Sequence, residues 1–147
     1  FSFVKNNCNG KIKKTENLSE ADKKLIEQTQ ALTENLIEIM DNQNINNYLK
    51  SVINISFLTN KYINDEEPWK LKNNNIKKMN NILHTSLEQI AKISILLNPI
   101  IPSASTKVLN ALNIKNELRD LSFLKGKNII NDEIIIKELD ILFKKII

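Results

Sequence analysis

Three stretches of the chain repeat apolar residues at steps of three and four, the spacing that gathers side chains on one face of an α-helix. The first runs from Leu18 to Met40, through Ala21, Leu25, Leu32, Leu36 and Ile39. The second takes Ile45, Tyr48 or Leu49, Val52, Ile55, Thr59 and Ile63. The third, from about Ile76 to Leu97, takes Ile76, Met79, Leu83, Leu87, Ile90 and Leu97. Punctuation between them is sparse, with two Gly and three Pro in 147 residues. A sheet protein needs many tight turns, usually built with those residues, so the chain reads as all-α.

The helix boundaries follow from local chemistry. Ser19 followed by Asp22 resembles a capping box. Asp65-Glu66-Glu67-Pro68 ends the second helix near Asn64, because the residue before a proline is driven out of helical geometry. Asn98-Pro99 and Pro102 stop the third. A shorter helix is expected from Ser103, or just after it, to Leu112, and an irregular stretch from Asn113 to Asn128. From Asn131 or Asp132 onward, Ile135, Leu139, Leu142 and Ile146 again fall at helical spacing. Phe1 to Asn9 reads as the end of a helix that starts outside the chain. The whole, residues 1–147, is expected to be one helical bundle of four to five helices.

Chemistry is scarce. No Gly-rich phosphate loop is present, and Gly10 and Gly126 read as turn or helix-cap residues. With His84 and Cys8 each alone, neither a zinc site nor Ser-His-Asp catalysis is supported. His84 reads as a packed or solvated helix residue, and Glu66-Glu67 as helix termination. Cys8 cannot form an internal disulfide, which points to a reducing compartment. No apolar run reaches the ~18 residues of a membrane-spanning helix. The net charge of +4 suits a polyanionic partner without demanding one. Of 21 basic residues only Arg119 is an arginine, and Ile, Asn and Lys together exceed two-fifths of the chain, as codon bias in an A+T-rich genome would give. The catalytic and metal-ligand assignment is therefore none, and the chain itself reads as non-catalytic.

What remains is Trp69, the single Trp, which lies at a break between helices. A Trp just past a helix end can fold back to cap a bundle. Its neighbours suit a flat, anionic ligand as well: Lys61, Lys70 and Lys72 flank it, with Lys77 and Lys78 beyond. An aromatic ring beside cations is how proteins hold an unstacked base and its phosphates.

Asn60-Lys61-Tyr62-Ile63 followed by Pro68-Trp69-Lys70-Leu71 resembles the stretch after the second long helix in the anticodon-binding domain of methionyl-tRNA synthetases. Three further segments agree in place and order. Lys5 to Lys11 is similar to the helix end that precedes the long helices. Leu96 to Pro102 is similar to a double-proline break shared by related class I synthetases. Ile141 to Ile146 loosely resembles the closing segment. The resemblance implies that Trp69 meets the first anticodon base of methionine tRNA, a cytosine, with Pro68 fixing its backbone and Asn60 and Lys61 near the same pocket. It implies a parent ligase of protein biosynthesis, cytoplasmic or organellar, that uses ATP, and with it zinc, in a catalytic part not present here. That catalytic domain is an implied partner, beside tRNA(Met).

Departures accompany the resemblance. The family's Asn-Leu-x-x-Arg contacts are absent, since Asn17-Leu18 and Asn35-Leu36 lack the Arg. The Lys-Met-Ser-Lys-Ser and paired-histidine signatures of ATP handling are absent too. The closing segment has Leu142 and Lys144-Lys145 where the family tends to prolines and an Arg. Two alternatives stay open: the same domain from an isoleucyl, valyl, leucyl or cysteinyl enzyme, or a helical protein-interaction scaffold with Trp69 as a packed cap.

Overall fold

The structure, a computed structural model, describes residues 1–124, 126 and 128–143. Its elements in chain order are α1 (Ser2–Cys8), β1 (Lys11–Lys13), α2 (Glu20–Thr33), α3 (Leu36–Asp41), α4 (Ile45–Glu66), a 3-10 turn (Pro68–Leu71), α5 (Ile76–Leu97) and α6 (Pro102–Ala111). Two further 3-10 turns (Asn116–Leu118 and Leu121–Leu124) and β2 (Glu133–Ile135) follow. The bundle expected from the stripes is present, with a two-stranded sheet added at one side.

The first stripe is broken into α2 and α3. Ser19 and Asp22 do form a reciprocal capping box at the start of α2. At its end Thr29 Oγ1 donates to the Leu25 carbonyl at 2.9 Å, and Thr33 Oγ1 to that of Gln30 at 2.7 Å. Such back-bonding competes with the ladder and bends helices. The break at Asn35 lets Leu36 turn fully inward, to 1% exposure.

In α4 the buried stripe is Tyr48, Val52, Ile55, Thr59 and Tyr62, so Ile63 gives way to Tyr62 and Ile45 lies outside the core. Tyr48 OH donates to the Leu96 carbonyl at 2.7 Å, clipping the start of α4 to the end of α5, and its burial pushes the phenol up to about 12. Tyr62 OH donates to Asp22, which ties α4 to α2.

The expectation of a single buried face on α5 is corrected. This helix packs against α2, α4, α6 and β1 and is buried on several sides, with Ile82, Ala91, Ile95 and Leu96 inside while Ile76 is exposed. Its polar residues hold the following segment. Glu88 accepts from the backbone N–H of Ile129 at 2.8 Å and of Ile130 at 2.9 Å, and Lys92 lies 3.7 Å from its carboxylate. His84 Nε2 donates to the Asn131 carbonyl at 2.8 Å.

The expected tail helix is a second correction. Residues Glu133–Ile135 form β2, antiparallel to β1 with Ile12 opposite Ile134. Burial alternates: Ile134 and Ile136 are inside and Ile135 outside, the period of a strand. Three consecutive β-branched residues favour this pairing. Leu139 and Leu142 are half-buried against the core. Lys144, Lys145 and Ile146 lie outside the described residues. The turn before β1 favours glycine, because Gly10 has φ +72°, in the left-handed region that side chains rarely adopt.

Burial lowers the pKa of His84, the largest effect on it, with Lys14 adding to the shift and the Asn131 hydrogen bond, Glu88 and Asp132 opposing it. Its folded value lies below the unfolded one, so below about pH 6.5 the unfolded chain takes up a proton that the folded chain resists. Stability is therefore expected to fall as pH drops through this range. His84→Gln should flatten the melting temperature between about pH 7 and pH 5; an unchanged slope would place the pH dependence elsewhere.

Candidate nucleic-acid interface

Helix α4 ends because Glu67 adopts the left-handed conformation, φ 44° and ψ 58°, with its N–H still bonded to the Ile63 carbonyl at 3.1 Å. The following proline disfavours αR at Glu67, so the helix does not continue through it. Pro68 opens the 3-10 turn and is buried. Leu71 closes it, packed on the core, its carbonyl accepting from Asn74 at 3.1 Å and Asn75 at 2.8 Å. Between these two anchors Trp69 is 46% exposed and belongs to neither core cluster. The turn thus holds a large ring partly in solvent on a backbone fixed at both ends.

The lysines around it are less free than the sequence suggests. Lys61 pairs with Asp65 at 2.7 Å, Lys70 with Glu67 at 2.7 Å and Lys78 with Glu66 at 2.9 Å. Lys72 bonds instead to the side-chain carbonyl of Asn7 at 2.8 Å. From Asn60 to Lys78 there are five lysines against three acids, which leaves a net charge of +2. The helix-ending acids therefore also act as ion-pair partners, and the positive field is carried most directly by Lys72 and Lys77.

Pro68, Trp69, Lys70 and Lys72 share the turn and its cap. Asn60 and Lys61 sit on the exposed last turns of α4. Lys61 lines a hollow between α2 and α4 with Lys24, Tyr62 and Glu66, whereas Lys72 lines a different one with Asn7 and Asn80. The six residues are thus not gathered into one cavity. Asn7 escaped the sequence reading because its contact with Lys72 spans 65 residues and carries no local signal.

Among the described residues no group of three or more His, Cys, Asp or Glu could hold a metal ion, and no helix is long and apolar enough to cross a membrane.

A family model described as the anticodon binding domain of methionyl tRNA ligase matches residues 12–147. The chain is 37% identical over 106 residues to the methionine–tRNA ligase of Rickettsia felis, covering 67% of the chain and 21% of that protein. It is 28% identical over 122 residues to that of Brucella suis, covering 83% and 24%. The chain thus spans between a fifth and a quarter of the length of these relatives. The fold is similar to part of the methionyl-tRNA synthetase of Mycobacterium tuberculosis bound to methionyl-adenylate, with a TM-score of 0.87 at 20% identity, over 97% of this chain and 29% of that one.

Proposed function

The chain belongs to the family of anticodon-binding domains of methionyl-tRNA ligase, and we propose that it reads the anticodon of methionine tRNA as one part, residues 1–147, of a longer ligase. The observation that carries the reading is Trp69, 46% exposed on a turn anchored by buried Pro68 and by Leu71. A half-exposed aromatic on an anchored turn offers a splayed base a stacking surface, and base–aromatic stacking contributes about 1–3 kcal/mol. A core-capping role would have left the ring buried, so the scaffold alternative is not favoured. The isoleucyl, valyl, leucyl and cysteinyl alternatives are not favoured either, since the family model and the relatives above are methionine enzymes.

In this reading Trp69 stacks on a base and Pro68 holds its backbone. Lys72 and Lys70 face the phosphates, and Asn60 and Lys61 extend the contact along the end of α4. The longer protein attaches methionine to tRNA(Met) with ATP. ATP, and with it zinc, belongs to a catalytic part that this bundle docks against. Work in translation places the protein in the cytoplasm, or in an organelle with its own protein synthesis.

The test is binding of methionine tRNA, followed through the single Trp, whose fluorescence reports that ring alone. Stacking should quench it in a saturable manner; no change on adding tRNA that demonstrably binds would remove Trp69 from the interface. The 147-residue chain by itself should give no methionine-dependent ATP–pyrophosphate exchange. Exchange above background would mean that nucleotide chemistry resides in these helices.

A further inference from the structure

Three polar residues of α5 lie together inside the bundle. Gln89 is 0% exposed, and among the described residues neither its amide nitrogen nor its amide oxygen has a hydrogen-bond partner. Glu88 and Lys92 are buried beside it, with their charged groups 3.7 Å apart. We propose that these three side chains hold an internal water molecule, which accepts a hydrogen bond from Lys92 Nζ and donates to Glu88 Oε1 and Gln89 Oε1. The proposal does not depend on the anticodon reading.

Helix geometry brings the three groups together. Lys92 follows Glu88 by four residues and Gln89 by three, the two spacings that make neighbours on a helix surface. Helical side chains lean toward the N-terminus, so Lys92 reaches back over both. At 3.7 Å the ion pair is too long for a direct hydrogen bond, the separation at which a bridging water intervenes. Glu88 Oε1 accepts from the Ile129 N–H at 2.8 Å and Oε2 from that of Ile130 at 2.9 Å. A carboxylate oxygen has a second lone pair, so Oε1 can also accept from water. The water then makes about three hydrogen bonds, the usual number for an internal site. A buried ion pair is favourable only where its remaining protons and lone pairs are bonded as well, and a water shared with Gln89 supplies that.

The other buried polar atoms without a hydrogen bond have simpler solutions. Glu66 Oε2 lies 2.9 Å from the Lys78 ammonium. Ser105 Oγ can rotate onto the Ile101 carbonyl four residues back. Glutamine lacks that short-range bond to its own helix.

Oxygen-17 relaxation dispersion of the solvent counts internal waters, because only molecules held longer than the protein's tumbling time contribute. The 147-residue protein is compared with Gln89→Met, which keeps the volume and removes both polar atoms, and with Lys92→Met. Each variant should lose the contribution of about one water, with circular dichroism unchanged. The double variant should lose no more than either single one, since the same molecule is counted. If Lys92→Met does not fold, Lys92→Arg replaces it: the longer guanidinium can meet the carboxylate directly and displace the water, with the same loss expected. An unchanged dispersion in Gln89→Met would overturn the proposal, whatever the lysine variant shows. A loss in Gln89→Met alone would put the water on the amide without the ion pair and would overturn the three-way site.

Discussion

Replacing Glu88 with alanine is expected to lower the unfolding free energy by about 3–5 kcal/mol, the usual result of removing one partner of a buried ion pair. The side chains of Glu88 and Lys92 are each 6% exposed. Truncation would leave the Lys92 ammonium without its counter-charge. It would also strip the backbone N–H groups of Ile129 and Ile130 of their acceptors, and an orphaned buried donor costs about 1–3 kcal/mol. Total stability is of order 5–15 kcal/mol, so the variant would be near its folding limit. Urea midpoints measure the loss. Glu88→Gln keeps one acceptor and should fall between wild type and alanine. Changing Lys92→Met in the Glu88→Ala background removes the stranded charge but not the orphaned N–H groups, so it should recover part of the loss. Full recovery would show that the charge alone matters; a loss under 1 kcal/mol in Glu88→Ala would mean that water replaces the carboxylate.

That pair bears on how much of the molecule its sequence discloses. Helical spacing and the scarcity of Gly and Pro were enough for an all-α bundle. Asp65-Glu66-Glu67-Pro68 located the end of α4 to within two residues, because proline acts locally. Sequence and structure part where the deciding contact is distant. The Ile135, Leu139, Leu142, Ile146 spacing satisfied a helix, yet Ile134 pairs with Ile12 across more than a hundred residues, and only that partner selects a strand. Periodicity assigns α5 one apolar face, because the partners of His84 and Glu88 are backbone groups near residue 130 that it cannot register. At the candidate interface, the helix break at Pro68 suggested an accessible ring at Trp69. The pairing of Lys61 with Asp65, four residues on, was also within reach of sequence spacing. The Asn7–Lys72 contact was not, since it joins α1 to a turn two long helices away.

Trp69→Ala in the full ligase should weaken capture of methionine tRNA by roughly 5- to 150-fold. The range follows from a stacking contribution of about 1–3 kcal/mol at about 1.4 kcal/mol per factor of ten. Methionine activation should be nearly unchanged, since it belongs to another part of the enzyme. The stability cost should be modest. Burying a large aromatic fully is worth about 3–5 kcal/mol on truncation, and this ring is 46% exposed, so roughly half that is the upper bound. A melting curve beside a tRNA titration separates the outcomes. A large fall in melting temperature with unchanged affinity would make Trp69 a packing residue. Salt sharpens the test. Affinity should fall with salt by a slope near −0.7 for each neutralised phosphate of a single strand. Among the described residues Lys72 has no carboxylate partner, so Lys72→Ala should reduce the slope by about 0.7. Lys61 and Lys70 are held by Asp65 and Glu67, so their alanine variants should reduce it less. Equal effects at all three would mean that the ion pairs open on binding and that the turn is not preorganised for RNA.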